Sequence, residues 1–201
     1  PLLIGRALEK GVVNINEVHN TYNGLYKEDK WQIKDDHPLT SMTTTEVITH
    51  SSNIGTYNIM KRLGPERLYQ TLLDFGFTDK SQLLGFPGQN HGRIAAWKSW
   101  RPIRFANICF GQGFYISALE LVQGFGAIAN GGSLMKPYLL DQIVSPEGGM
   151  VEAKSSEVMR RVFSPEISWK LRQILAQTVE EGTGRFAKLA QYTTAGKTGT
   201  S

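Results

Sequence analysis

Apolar side chains fall at helical spacing from the first residue onward: Pro1, Leu2, Leu3 and Ile4 through Leu8 run together, and Gly11 stops them. That run predicts a helix. Residues 12–45 are polar and turn-rich, with Asn23 and Gly24 as a turn signal, and predict loop with short elements. Beyond Ser51, the residues Ile54, Tyr57 and Met60 share one helical face ahead of Gly64 and Pro65. Pro65 opens a further short helix that carries Leu68, Leu72 and Leu73 and closes at Gly76.

Residues 85–116 hold Gly, Pro, Trp and Phe with little periodicity, so they predict an ordered loop on the surface. Ser117 and Glu120 have capping-box spacing, and the helix they open runs to Asn130 before Gly131 and Gly132. Leu119, Leu121, Val122, Phe125 and Ile128 make it apolar nearly all round, which predicts a central, buried helix. Tyr138–Val144 and Val158–Phe163 alternate as strands do, separated by a turn at Pro146, Gly148 and Gly149. Ser164 and Pro165 start one more helix, with Ile167, Leu171, Ile174 and Leu175 inward and Gly182 at its end. Thr193 onward predicts a final strand. No internal repeat or low-complexity tract interrupts this mixture of helices and strands.

Composition narrows the function classes. An apolar share of 40% in 201 residues is enough to bury a core and suits one globular domain or a large piece of one. The net charge of +4 comes without a Lys/Arg run, which describes a mixed-charge surface and gives a nucleic-acid partner no support. Cys109 is the one cysteine, so no disulfide forms within the chain, and its neighbours Ile108 and Phe110 predict a buried apolar setting. No run of 18 apolar residues and no signal peptide pattern occurs, so membrane attachment would need an anchor outside this segment.

Two short motifs carry the chemistry. Ser51, Ser52 and Asn53 form one; Lys197, Thr198, Gly199 and Thr200 form the other, with 146 positions between Ser51 and Lys197. Either alone fits a cap or a turn. Acting together, they supply what acyl transfer on a peptide requires: a proton route to the leaving amine and donors where charge develops on the carbonyl oxygen. Ser51 can relay the proton in the field of Lys197. Asn53 offers both a carbonyl and an NH2 group, so it can hold a lysine on one side and a substrate amide on the other. Gly199 leaves room for substrate beside the backbone, the hydroxyls of Thr198 and Thr200 can bind a carboxylate, and the Thr200 N–H is a candidate half of an oxyanion hole. The attacking group itself is missing: no Ser is followed three positions later by Lys in a setting suited to a nucleophile.

Other motifs fail. Gly196, Lys197 and Thr198 match the end of a phosphate-binding loop, yet Gln191 stands where its first Gly belongs. His50 adjoins Ser51, but neighbours on a helix point about 100 degrees apart, so they do not form a Ser-His pair. His19, His37, His50, His91 and Cys109 lack metal-ligand spacing, and Gly111-Gln112-Gly113 lacks the third Gly of a dinucleotide fingerprint. No metal and no cofactor is expected.

With these residues in place, nearly the whole chain resembles the transpeptidase domain of a class B penicillin-binding protein. Glu46–Gly55 (EVITHSSNIG) resembles the family's second motif with its preceding helix, and Ile33–Pro38 (IKDDHP) the segment leading to it. Leu84–Gly92, Phe110–Gly132 and Glu181–Thr200, which ends in Ala-Gly-Lys-Thr-Gly-Thr, are similar to three further stretches. Departures are the ISALEL run of Ile116–Leu121, where relatives often have Thr-Pro, and Gln89, where a Glu is usual.

The resemblance implies an α+β fold of the serine beta-lactamase/transpeptidase type, with residues 1–201 forming one partial domain, mostly the helical lobe and an incomplete antiparallel sheet. It implies a D,D-transpeptidase of the division type, on the outer side of the bacterial inner membrane, that cross-links peptidoglycan stem peptides through an acyl-serine and binds beta-lactams. Division-machinery proteins are the expected partners. Ser51, Asn53 and Lys197 would then be catalytic, and Thr198, Gly199 and Thr200 substrate-binding. The nucleophile's lysine would directly precede Pro1, so the segment by itself is expected not to acylate and to leave sheet edges open. Two rivals are weighed against this: a serine beta-lactamase, disfavoured because Ser52 replaces the Asp of Ser-Asp-Asn, and a non-catalytic scaffold or antibiotic sensor on the same fold.

Overall fold

The opening apolar run folds as helix α1 (Leu2–Glu9), burying Leu2, Ile4, Ala7 and Leu8. In the computed structural model, which describes residues 1–79 and 90–199, two small ladders follow. Strands β1 (Val18–Asn20), β2 (Leu25–Glu28), β3 (Trp31–Lys34) and β4 (Ser41–Thr43) lie within the stretch expected to be loop with short elements. β1 pairs antiparallel with β4, placing His19 opposite Met42, and β2 pairs antiparallel with β3, placing Tyr26 opposite Ile33.

Three helices come next: α2 (Thr44–Thr49), α3 (Asn53–Leu63) and α4 (Pro65–Asp74). Thr43 and Glu46 close a capping box on α2. On α3, Ile54, Tyr57, Met60 and Leu63 are buried, as their spacing predicts. Helix α5 (Pro102–Cys109) corrects the expected surface loop at 85–116: Pro102 starts it, and packing of Ala106, Ile108 and Cys109 into the core holds it. Burial also pushes the Cys109 thiol's pKa up, so it behaves as an inert apolar group. Residues 80–89, including Gln89 and most of the Leu84–Gly92 stretch, lie outside the described residues.

Helix α6 (Ala118–Ala129) begins at the predicted capping box. It is not buried all round: Ala127 and Ile128 face the core, whereas Leu121 and Val122 are exposed. Strand β5 (Ser133–Met135) follows, then β6 (Gln142–Val144), β7 (Met150–Ala153) and β8 (Val158–Arg161), and last the helix α7 (Pro165–Glu180). The turn at 146–149 closes β6 onto β7, not onto β8; β8 pairs with β5 instead. Residues 193–199, expected to be a strand, join no ladder among the described residues. The fold is α+β, with its named strands paired antiparallel in four two-stranded ladders in the described residues.

α1 packs against α3, α4 and α7, while α2 packs against α3 and α7. Phe75 and Phe163 meet at 5.2 Å between ring centroids in this core. The α2–α3 joint and the end of α7 are thereby brought to one place.

Glu120 does more than cap its helix. At 3% exposure, its carboxylate accepts hydrogen bonds from the N–H groups of Ser117 (2.6 Å), Gly92 (2.9 Å) and Thr78 (2.9 Å), stapling two loop segments to α6. Burial pushes its pKa up, but these bonds outweigh burial and hold it below the ordinary 4.5. A carboxyl with a lowered native pKa stabilises the fold above its unfolded value and loses that contribution as pH falls through the native one. Glu120→Gln should therefore cost about 1–3 kcal/mol at neutral pH. Urea unfolding of both proteins at pH 7 and at successively lower pH checks this, with the gap narrowing as pH falls below the ordinary 4.5.

Candidate active site

Ser51 occupies an uncommon backbone state for its type. Its φ is +59°, in the left-handed region that costs a side-chain-bearing residue roughly 1–2 kcal/mol. The cause is local. α2 ends in a Schellman turn, in which Ser51 N–H donates to the Ile48 carbonyl (3.2 Å) and Ser52 N–H to the Val47 carbonyl (3.0 Å). Glycine usually fills this position; here it holds an exposed serine. Ser52 follows at once as the buried N-cap of α3, its Oγ accepting from Gly55 N–H at 2.8 Å. Only His50, Ser51 and Ser52 separate the two helices.

The end of β3 holds this joint from the side. Buried Asp35 accepts the Ser52 hydroxyl proton at 2.6 Å on one oxygen and Ile54 N–H at 3.0 Å on the other. Asn53 donates through Nδ2 to the Lys34 carbonyl at 2.9 Å. That bond fixes the amide's orientation, since the flipped form would set two carbonyl oxygens against each other. Asn53 Oδ1 stays open as an acceptor among the described residues.

Lys197 lies at the other end of the chain but near α1. Its ammonium comes close enough to Pro1, at the start of α1, for its charge to act there. Burial holds Lys197 below the ordinary lysine value. The ammonium donates to the Thr198 carbonyl (3.1 Å) and to its Oγ1 (3.2 Å). Thr198 donates in turn to Thr183 Oγ1 at 3.0 Å, and Thr183 N–H reaches the Thr49 carbonyl at 3.2 Å, two residues before Ser51. Gly182 permits that approach: a Cβ there would stand 2.4 Å from the Thr49 oxygen.

The two motifs are thus tied through Thr183 and Thr49. Ser51, Asn53 and Lys197 make no hydrogen bond with one another. Around Gly199 no described atom lies within 4 Å of where a Cβ would stand, and Thr200 is outside the described residues. Sequence reasoning missed Asp35 and Thr183. The IKDDHP stretch and the Gly-Thr-Gly at 182–184 marked their neighbourhoods, but nothing local announced their contacts.

One Ser-x-x-Lys spacing does exist in the chain, Ser133 to Lys136. It lies on β5 and just beyond it, where alternate residues face opposite ways, and Lys136 is paired with Glu157 at 2.9 Å. It is no nucleophile pair. Among the described residues, no helix is long and apolar enough to cross a membrane.

The family described as penicillin binding protein transpeptidase domain matches residues 1–201. Penicillin-binding protein PbpB of Mycolicibacterium smegmatis is 32% identical over 207 residues, covering 97% of this chain and 31% of the relative. The probable peptidoglycan D,D-transpeptidase PenA of Neisseria meningitidis is 29% identical over 202 residues, covering 100% and 32%. Among solved structures, apo penicillin binding protein 3 of Mycobacterium tuberculosis has a TM-score of 0.86 at 30% identity, covering 98% of this chain and 45% of that one. The same protein solved with aztreonam and with ampicillin has a TM-score of 0.83 in each case. This chain spans about a third of the length of the curated relatives it matches. Its full-length match to the family model and its 32% identity to PbpB make it a member of the penicillin binding protein transpeptidase domain family, of class B.

Proposed function

We propose that residues 1–201 are one partial transpeptidase domain, and that the complete protein is a serine-type D,D-transpeptidase acting on peptidoglycan stem peptides. Its serine, supplied from outside these residues, attacks the carbonyl of the penultimate D-alanine. The peptide C–N bond breaks, the serine's proton passes through Ser51 Oγ to the departing amine, and D-alanine leaves. An amine of a neighbouring stem peptide then attacks the acyl carbon, the ester C–O bond breaks, and the proton the amine gives up returns to the serine oxygen. Beta-lactams imitate the dipeptide and leave a slow acyl-enzyme, in keeping with the ampicillin and aztreonam complexes of the mycobacterial relative.

The observation that carries this reading is the Lys197–Thr198–Thr183–Thr49 chain of contacts, which ties the lysine's segment to the turn bearing Ser51. Burial holds the Lys197 pKa below the ordinary lysine value, which suits a lysine that serves a proton relay. Asn53, with Oδ1 open and Nδ2 anchored, suits a positioning group. Thr198, Gly199 and Thr200 are assigned to carboxylate recognition and the oxyanion strand, a role helped by the open space beside Gly199. We assign the division process and its protein partners from Ser-Ser-Asn and its neighbours, and a site outside the cytoplasm held by an anchor beyond this segment.

Labelled penicillin tests the reading on the complete protein. Ser51→Ala and Lys197→Ala should each slow acylation by about 10²–10⁴-fold, the range of a lost proton-transfer group; an unlabelled wild type would favour the scaffold or sensor reading. Ser51→Gly should separate stability from activity. Relief of the left-handed strain should raise unfolding stability by about 0.5–1 kcal/mol, while acylation falls as far as in Ser51→Ala.

A further inference from the structure

We propose that Asp35 is a positioning residue for acyl transfer, acting through the backbone that presents Ser51. This rests on the reading of Ser51 as the proton relay. Two consecutive residues at the end of β3 hold three consecutive residues of the turn: the Lys34 carbonyl takes Asn53 Nδ2–H, and Asp35 takes the Ser52 hydroxyl and Ile54 N–H.

Capping alone does not require Asp35. Ser52 already caps α3 by accepting Gly55 N–H. A carboxylate at 9% exposure carries a desolvation cost that an apolar or amide side chain would avoid, so its presence calls for more than a satisfied N–H. Its distinctive effect is on the peptide between Ser51 and Ser52. The Schellman bonds fix that peptide from the α2 side and Asp35 fixes Ser52 from the α3 side, so Ser51 cannot leave its left-handed state for a relaxed one. The Cα–Cβ bond of Ser51 is aimed in one direction as a result.

Asp35 is itself rigidly mounted. Its N–H donates to the Gly24 carbonyl at 3.1 Å, and Gly24, at φ +80°, lets Pro38 close in, since a Cβ there would stand 2.5 Å from Pro38 Cβ. Tyr26 and Tyr57 both donate to Glu28, at 2.6 and 3.2 Å, and their rings lie 5.6 Å apart, fastening the β2–β3 hairpin to α3. The carboxylate is therefore carried on a braced hairpin and not on a free loop.

Penicillin acylation of the complete protein tests this, read as the rate at saturation and the concentration giving half that rate. Asp35→Ala should lower the saturating rate about ten- to hundred-fold, as a misplaced catalytic group does, with the half-saturating concentration unchanged. In a Ser51→Ala background the same substitution should lower it no further. Asp35→Asn, which keeps the shape and one of the two hydrogen bonds, should fall between and serves if Asp35→Ala fails to fold. A full multiplicative loss in the Ser51→Ala background, or a saturating rate equal to wild type, overturns the proposal. Ser51→Ala reacting as fast as wild type would overturn the relay assignment beneath it.

Discussion

Three residues, His50 to Ser52, join two helices, and the candidate site exists because that joint is held in a conformation a serine does not choose by itself. A left-handed residue at the end of α2 turns the chain sharply enough for Ser52 to cap α3 immediately. The cost, roughly 1–2 kcal/mol, is offset by two Schellman hydrogen bonds, by the cap and by the Asp35 contacts. A glycine would make the same turn with less strain but would carry no hydroxyl. On the proposed reading of Ser51 as the relay, strain and chemistry coincide in one residue, as they do where a fold gives up stability to present a reactive group.

The second constraint is close approach. α7 ends where Gly182 meets the Thr49 carbonyl, and any side chain at 182 would push the two backbones apart. Because Thr183 then bonds to Thr49 and receives the Thr198 hydroxyl, the segment carrying Lys197 takes its place from α2. Gly196 N–H bonded to the Leu175 carbonyl at 3.1 Å ties the same segment to α7. Residues 193–199 need no strand ladder to reach the joint, which is why the expected strand could be absent and the contact still form.

What could be read from the sequence was local. The Ser117–Glu120 box, Pro65 and Pro165 at helix starts, and the apolar faces of α3 and α7 each declare themselves within a few residues, and all stand where expected. α5 did not, because eight residues without periodicity become helical only when Ala106, Ile108 and Cys109 find the core. The β5–β8 pairing was hidden for a similar reason: the turn between β6 and β8 signals a hairpin, and which strand closes it depends on distant packing. In the site, Ser51, Asn53 and Lys197 stood out by motif, whereas Asp35 matters only through a contact 17 residues away in sequence. Buried polar partners of a motif leave no periodic trace.

Convergence of the Ser51 hydroxyl, the Asn53 amide and the Lys197 ammonium on one cleft beside the start of α1 is the claim on which the rest depends. A crystal structure of the complete domain acylated by ampicillin measures it directly. Convergence requires all three groups to border the bound acyl adduct, with Ser51 Oγ and Lys197 Nζ within hydrogen-bond reach, roughly 3 Å, of each other or of the adduct, and Ser51 still left-handed. An adduct bordered by none of the three, or Ser51 and Lys197 on different faces of the domain, would contradict it.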